Sequence, residues 1–213
     1  MSTAPGTVFV VDDDAGVRKA LTRLLRASGR EVRAFASPQE FLEQHDPAEP
    51  GCLVLDLALP QQSGLDFHLQ LAAAGSERPV VFISGQGDIP TSVQAMKAGA
   101  VDFLTKPFDE LQLLGAVQAA MERDSRARAV RAERRRVGDR LAKLTSRERE
   151  VLEHVVAGRL NKHIAAQLGT VEKTVKVHRG RIMRKMGAGS LVELVRMADL
   201  AGVRPSPSQP PAP

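Results

Sequence analysis

Two hydrophobic periods alternate through the first 120 residues. Short apolar runs at 8–11, 32–35, 53–55, 80–83 and 101–104 predict strands. Between them the spacing changes. Val17, Leu21, Leu24 and Leu25 recur as one face of a helix over 17–27, and Phe41 and Leu42 follow Ser37-Pro38, a cap and first-turn proline. Residues 65–74 and 91–98 also read as helices, the latter stopped by Gly99, and a further helix starts at Leu111. Five strands alternating with helices predict an α/β fold, a doubly wound five-stranded parallel sheet covered on both faces.

The pattern changes after residue 120. Residues 121–143, MERDSRARAVRAERRRVGDRLAK, hold 9 basic and 4 acidic residues and no proline. Arg, Ala and Glu favour helix, so this stretch predicts a helical basic linker, broken or loosened near Gly138. From 144 to 204 the punctuation is that of an all-α, four-helix unit. Thr145-Ser-Arg-Glu148 is a capping-box pattern, and Gly158 ends that helix. Asn161 is placed to cap a second helix over 162–168, stopped by Gly169. A third spans 172–186, stopped by Gly187, and a fourth starts near Leu191. The proline-rich end, 205–213, predicts disorder. The expected organisation is therefore 1–120, 121–143, 144–204 and 205–213.

Composition sharpens this picture only where it is uneven. The net charge of +5 conceals a split. Residues 1–120 carry 9 Lys/Arg against 15 Asp/Glu, net −6, while 121–213 carry 21 against 10, net +11. An acidic front and a basic rear suggest that the rear meets a polyanion. No apolar run is long enough to span a membrane. The start, MSTAPGTVFVVDDD, has no basic leader followed by an apolar stretch, so no signal peptide is expected. The lone Cys52 sits in an apparent strand and reads as a small core residue.

One residue is out of place in the hydrophobic pattern. In CLVLDLALP, Asp56 interrupts a run that otherwise suits a core, and an unpaired charge there is costly. Either it begins a loop before Pro60 or it has a task. In a parallel sheet, sites form at the carboxyl ends of strands. Asp12 and Asp13 follow the first strand, Asp56 ends the third, Ser84 ends the fourth and Lys106 follows the fifth, so all are expected along one sheet edge. Three close carboxylates repel unless a cation joins them. A hard divalent ion such as Mg²⁺ solves this with oxygen ligands. A carboxylate can also act as a nucleophile toward a phosphoryl group, with Lys106 and the Ser84 hydroxyl positioned to neutralise that group's oxygens.

The stretches VFVVDDDAGVRKAL, CLVLDLALPQQSGLDF and PVVFISGQGDIPTSVQAMKAGAVDFLTKPF, in this order, resemble the receiver domain of two-component response regulators over about residues 6–120. The resemblance implies a flavodoxin-like fold and a role for each matching position. Asp12 and Asp13 would be the acidic metal pair and Asp56 the phospho-acceptor, with the Ala58 backbone carbonyl as a further ligand to Mg²⁺ or Mn²⁺. Ser84 and Phe103 would be the switch residues and Lys106 the phosphate-pairing lysine. Taken singly, each residue has an ordinary structural reading; it is their conjunction that carries the assignment. Leu59-Pro60 stands where Met-Pro is usual. Asp14 reads as a helix N-terminal carboxylate rather than a ligand. A phosphatase of the haloacid-dehalogenase type would need a second Asp two residues beyond Asp56, where Ala58 stands. A P-loop is absent, and SGQGD alone is a weak nucleotide motif.

In the rear half, two short helices joined by a glycine turn resemble a helix-turn-helix, whose second helix enters the major groove. On a helical wheel of 172–186, Val175, His178, Ile182 and Met186 form an inward face. Lys173, Lys176, Val177, Gly180, Arg181 and Arg184 fall on the opposite side. His154, His163 and His178 lack metal-ligand spacing. The stretch from LTSREREVLEHVVAG to LVELVRMA resembles the LuxR-type output domain, and the whole chain resembles the FixJ subfamily of response regulators. The resemblance implies base-edge contacts by Lys176 and Val177, phosphate contacts by Asn161, Lys162, Lys173 and Thr174, and further DNA contacts by Arg181 and Arg184. Thr170-Val171 replaces the usual Ile-Ser, so the N-cap hydroxyl of the recognition helix is expected to be shifted or lost. The implied protein is a cytoplasmic, non-enzymatic transcriptional regulator. A sensor histidine kinase would phosphorylate it, dimerisation through the fourth helix, fifth strand and fifth helix would follow, and it would bind promoter DNA and meet RNA polymerase, with no membrane role. Two rivals are a phosphorylation-independent DNA binder and a phosphatase using Asp56.

Overall fold

The computed structural model describes residues 6–85 and 89–204. The expectations for 205–213, for the first five residues and for the last three residues of SGQGD lie outside them. The chain divides into two compact units between Arg128 and Ala129, each described separately below.

The first unit is a five-stranded, wholly parallel sheet in the order β2-β1-β3-β4-β5. Its strands are β1 (Thr7–Val11), β2 (Glu31–Phe35), β3 (Gly51–Asp56), β4 (Val80–Ser84) and β5 (Asp102–Thr105). Its helices are α1 (Ala15–Ala27), α2 (Pro38–Gln44), α3 (Gly64–Ala73), α4 (Ile89–Lys97) and the first part of α5 (Glu110–Ala142). Alternation along the central strands builds two cores. Val8, Val10, Cys52, Val54, Val81 and Ile83 pack on one face with Leu21 and Leu25 of α1 and Leu113 and Val117 of α5. Phe9, Val11, Leu53, Leu55 and Phe82 pack on the other with Phe41, Phe67 and Ala95 from α2, α3 and α4. Every residue of β1, β3 and β4 is buried, which is why these strands read as continuous apolar runs. Burial pushes the Cys52 thiol up to about 12, leaving it an inert core group.

The second unit holds the end of α5, then α6 (Ser146–Val156), α7 (Asn161–Gln167), α8 (Glu172–Met186) and α9 (Leu191–Leu200). Its core includes Val137, Leu152, Ile164, Val175, Ile182, Met186 and Leu194. Three sequence expectations change here. Helix α5 runs unbroken through Gly138, because a single glycine costs only about 1 kcal/mol of helix propensity and burial of Val137 holds the turn. Asn161 is not a cap: Leu160 is the N-cap of α7 and makes no side-chain bond, while Asn161 is the first helical residue. His178 is only half-buried, whereas Val175, Ile182 and Met186 are fully buried. At the start of α8 the hydroxyl cap is lost rather than shifted, since Val171 is the N-cap without a side-chain bond. Among the described residues no helix is long and apolar enough to cross a membrane.

Candidate functional site

The carboxyl end of the sheet gathers the polar residues that interrupt the hydrophobic pattern. Strand β3 ends at Asp56, and the loop after β1 supplies Asp12 and Asp13. One oxygen from each of these three carboxylates lies within 4.8 Å of the others. Asp12 and Asp56 are buried; Asp13 is exposed. Lys106 reaches in from the end of β5. Its Nζ donates to Asp12 Oδ2 at 2.8 Å and to Asp56 Oδ1 at 3.2 Å. Asp12 is further held by the Asp14 amide on its Oδ1 at 2.9 Å and by Arg18 Nη1 on its backbone carbonyl at 2.7 Å. Asp14 caps α1 by accepting from the Gly16 and Val17 amides, as expected of a helix N-terminal carboxylate.

Electrostatics at this edge are those of a buried acidic pair with one cation. Burial pushes the Asp56 carboxyl above its ordinary range, the Lys106 charge and hydrogen bond oppose this, and Asp12 and Asp13 add to the rise. Burial pulls the Lys106 ammonium down, but its bonds and charges with Asp12 and Asp56 outweigh that and leave it raised. One lysine against three carboxylates leaves a net negative pocket. The donors are all carboxylate oxygens, which suits a hard divalent cation that keeps some of its own water. Among the described residues, this is the one grouping of three or more His, Cys, Asp or Glu able to hold a metal.

The remaining expected positions fall around this pocket. Ser84 ends β4, buried, and the Lys106 amide donates to its carbonyl at 2.7 Å. Phe103 lies in β5 opposite Phe82, half-buried against the second core. Ala58 is exposed, two residues beyond Asp56, between the buried Leu57 and Leu59. One constraint escaped the sequence reading. The first residue of α3, Gly64, packs so tightly that a Cβ there would lie 2.1 Å from the Asp56 carbonyl oxygen. The glycine was visible in SGLDF, but its close approach to Asp56 is a tertiary fact.

In the second unit, α8 exposes Lys173, Lys176, Val177, Gly180, Arg181 and Arg184. Thr174 is half-buried and Lys162 exposed. Asn161, Lys162, Lys176 and Arg179 share a shallow pocket with Leu160 and Glu172. Arg179 Nη1 donates to Asn161 Oδ1 at 3.0 Å. That bond engages the acceptor end of the Asn161 amide with α8.

Comparison with known proteins decides what these two units are. Residues 8–118 match the family model described as response regulator receiver domain, and residues 142–198 match that of bacterial regulatory proteins, luxR family. The chain is a two-component response regulator. It is 47% identical over 196 residues to nodulation protein W of Bradyrhizobium diazoefficiens, covering 92% of this chain and 86% of that protein. It is 45% identical over 204 residues to the transcriptional regulatory protein FixJ of Azorhizobium caulinodans, covering 96% and 97%. The solved structure of response regulator StyR aligns with a TM-score of 0.82 at 45% identity, covering 92% of this chain and 99% of that one. Full-length FixJ from B. japonicum aligns with a TM-score of 0.56 at 38% identity, covering 94% and 98%. The response regulator thus joins a receiver to a LuxR-type DNA-binding domain, and its function is phosphorylation-dependent regulation of transcription rather than catalysis. A kinase partner and DNA are the partners this family implies.

Proposed function

We propose that Asp56 accepts the phosphoryl group and that phosphorylation drives receiver dimerisation and promoter binding. The observation that carries this is Lys106 bridging Asp12 and Asp56 across the sheet edge. An Asp56 oxygen forms a bond to phosphorus as the P–N bond of a sensor kinase's phosphohistidine breaks, the electron pair leaving on the imidazole nitrogen. Asp12, Asp13 and Asp56, with the Ala58 carbonyl, would hold Mg²⁺ or Mn²⁺, which would supply charge neutralisation to the transferred group. Lys106 exchanges its bond to Asp56 for one to a phosphoryl oxygen, and the Ser84 hydroxyl donates to another. Movement at Ser84 passes to Phe103 on the neighbouring strand.

The surface formed by α4, β5 and α5 is the dimer face. Exposed Ile89, Val93 and Met96, which recur at helical spacing along one face of α4, support this, since contiguous apolar side chains at a surface favour association. The paired output domains place α8 in successive major grooves. Lys176 and Val177 read base edges, Asn161, Lys162, Lys173 and Thr174 hold phosphates, and Arg181 and Arg184 extend the contact. A cytoplasmic setting follows from a DNA target, and RNA polymerase is the partner for the output step.

Incubation with Mg²⁺ and acetyl phosphate adds one acid-labile phosphoryl group, which mass spectrometry detects, and the labelled protein sediments as a dimer at micromolar concentration. Asp56→Asn abolishes both. Equal labelling of the Asn variant removes the acceptor assignment; full labelling without a mass change removes the dimer.

A further inference from the structure

The C-terminal end of α8 is gripped from outside the helix-turn-helix. Arg140, in the last turn of α5, donates from Nη1 to the Met186 carbonyl at 2.9 Å. Lys185 Nζ donates to the Lys143 carbonyl at 3.1 Å and to Glu148 Oε2 at 2.6 Å. Glu148 in turn accepts from the Thr145 amide at 2.8 Å. Val137, one turn before Arg140, is fully buried in the same core as Val175, Ile182 and Met186. Gly187 ends α8 at φ 65°, and a Cβ there would come within 3.2 Å of Arg140 Nη1 and 3.3 Å of its Cζ. The guanidinium therefore occupies space that the glycine leaves open.

We propose that Arg140 is a positioning residue for DNA readout. It docks on an orphan carbonyl at the end of the recognition helix, where a helix needs an outside donor and favours a cation. At its other end α8 lacks a side-chain cap, Val171 offering none. The polar ties to the segment 140–148 therefore set the tilt and rotation at which Lys176, Val177, Gly180 and Arg181 meet a groove. Base-edge hydrogen bonds depend on that placement, because their geometry is narrow. Phosphate contacts by flexible lysines tolerate small displacements. Loss of the Arg140 tie should thus reduce discrimination far more than general affinity. This inference rests on the reading of α8 as the DNA-reading helix.

The test uses the full chain and two duplexes, one selected by the parent protein from a randomised pool and one of random sequence. Arg140→Gln, Arg140→Lys and Lys176→Ala are compared with the parent by fluorescence anisotropy, at a temperature where circular dichroism shows each variant folded. The expected result for Arg140→Gln is a fall of about tenfold in the ratio of selected to random affinity, the size of one weakened base contact. Random-duplex affinity should change by less than about threefold, since one half-buried cation contributes no more than about one counterion. Arg140→Lys, which keeps a charged donor, should recover part of the ratio. If Arg140→Gln does not fold, Arg140→Lys carries the test, and a fall in its ratio supports the proposal. An unchanged ratio in folded Arg140→Gln (or, where that variant does not fold, in Arg140→Lys), with Lys176→Ala lowering it, overturns the proposal alone. An unchanged ratio in Lys176→Ala overturns the assignment of α8 as the reader.

Discussion

Gly180 shows how a single residue can oppose its own element. It lies inside α8 and is exposed, and a Cβ there would meet nothing within 4 Å. Glycine in a helix interior costs roughly 0.5–1 kcal/mol relative to alanine, and no packing constraint explains the choice. Its position among Val177, Arg181 and Arg184 on the exposed face supports close approach of the helix backbone to DNA. Gly180→Ala should therefore stabilise the protein by roughly 0.5–1 kcal/mol in urea denaturation. Gly180→Leu should fold normally yet weaken binding to the selected duplex. A Leu variant that binds as tightly as the parent would place Gly180 away from the DNA. The contrast with Gly64 is instructive: there the missing side chain is forced by the Asp56 carbonyl 2.1 Å away, whereas at Gly180 the protein itself imposes nothing.

At the scale of elements, capping was the most legible feature. The Thr145/Glu148 capping box, the Ser37 cap before Pro38 and the Gly187 stop all stand where the residue pattern put them. The reason is local: a cap needs only a side-chain acceptor two or three residues from an amide. What the pattern did not reveal is that Glu148 does two jobs. It is nearly fully buried, and its hydrogen bond to Lys185, followed by that from the Thr145 amide, holds its carboxyl down to about 2. A depressed carboxylate stabilises the folded chain above its unfolded value near 4.5, and that contribution drains away as pH falls toward about 2. Glu148→Gln should lower stability at pH 7 by about 1–3 kcal/mol and flatten the loss between pH 5 and 3 that the parent shows. Urea titrations of the second unit's transition at several pH values read this directly. A parent and variant with parallel pH profiles would remove Glu148 as its source.

Over the whole molecule, the uneven charge separates the two tasks. The front half, net −6, surrounds an acidic pocket, and the rear half, net +11, exposes cations on α8. Binding by the rear should obey counterion release, with log K falling linearly in log salt. Lys162→Ala should weaken selected and random duplexes alike and reduce the salt slope by about 1. Lys176→Ala should lower the preference for the selected duplex by about 1–3 kcal/mol. Salt-dependent anisotropy on both duplexes separates these outcomes; identical behaviour of the two variants would abolish the division between phosphate and base contacts.

By itself the amino-acid order determined the two fold classes, the strand and helix sequence of each unit, and the sheet edge at which the carboxylates collect. It could do so because hydrophobic period, caps and strand ends are short-range properties, and because a parallel α/β sheet places its strand ends together by topology. Tertiary structure alone decided that Lys106 bridges Asp12 and Asp56, that Gly64 must be bare beside Asp56, that Asn161 pairs with Arg179 instead of capping α7, and that Arg140 closes the end of α8. Each of these joins residues from separate elements across distances set by packing. A contact of that kind leaves no period in the chain, since its partners are fixed only when the helices and strands have been brought against one another.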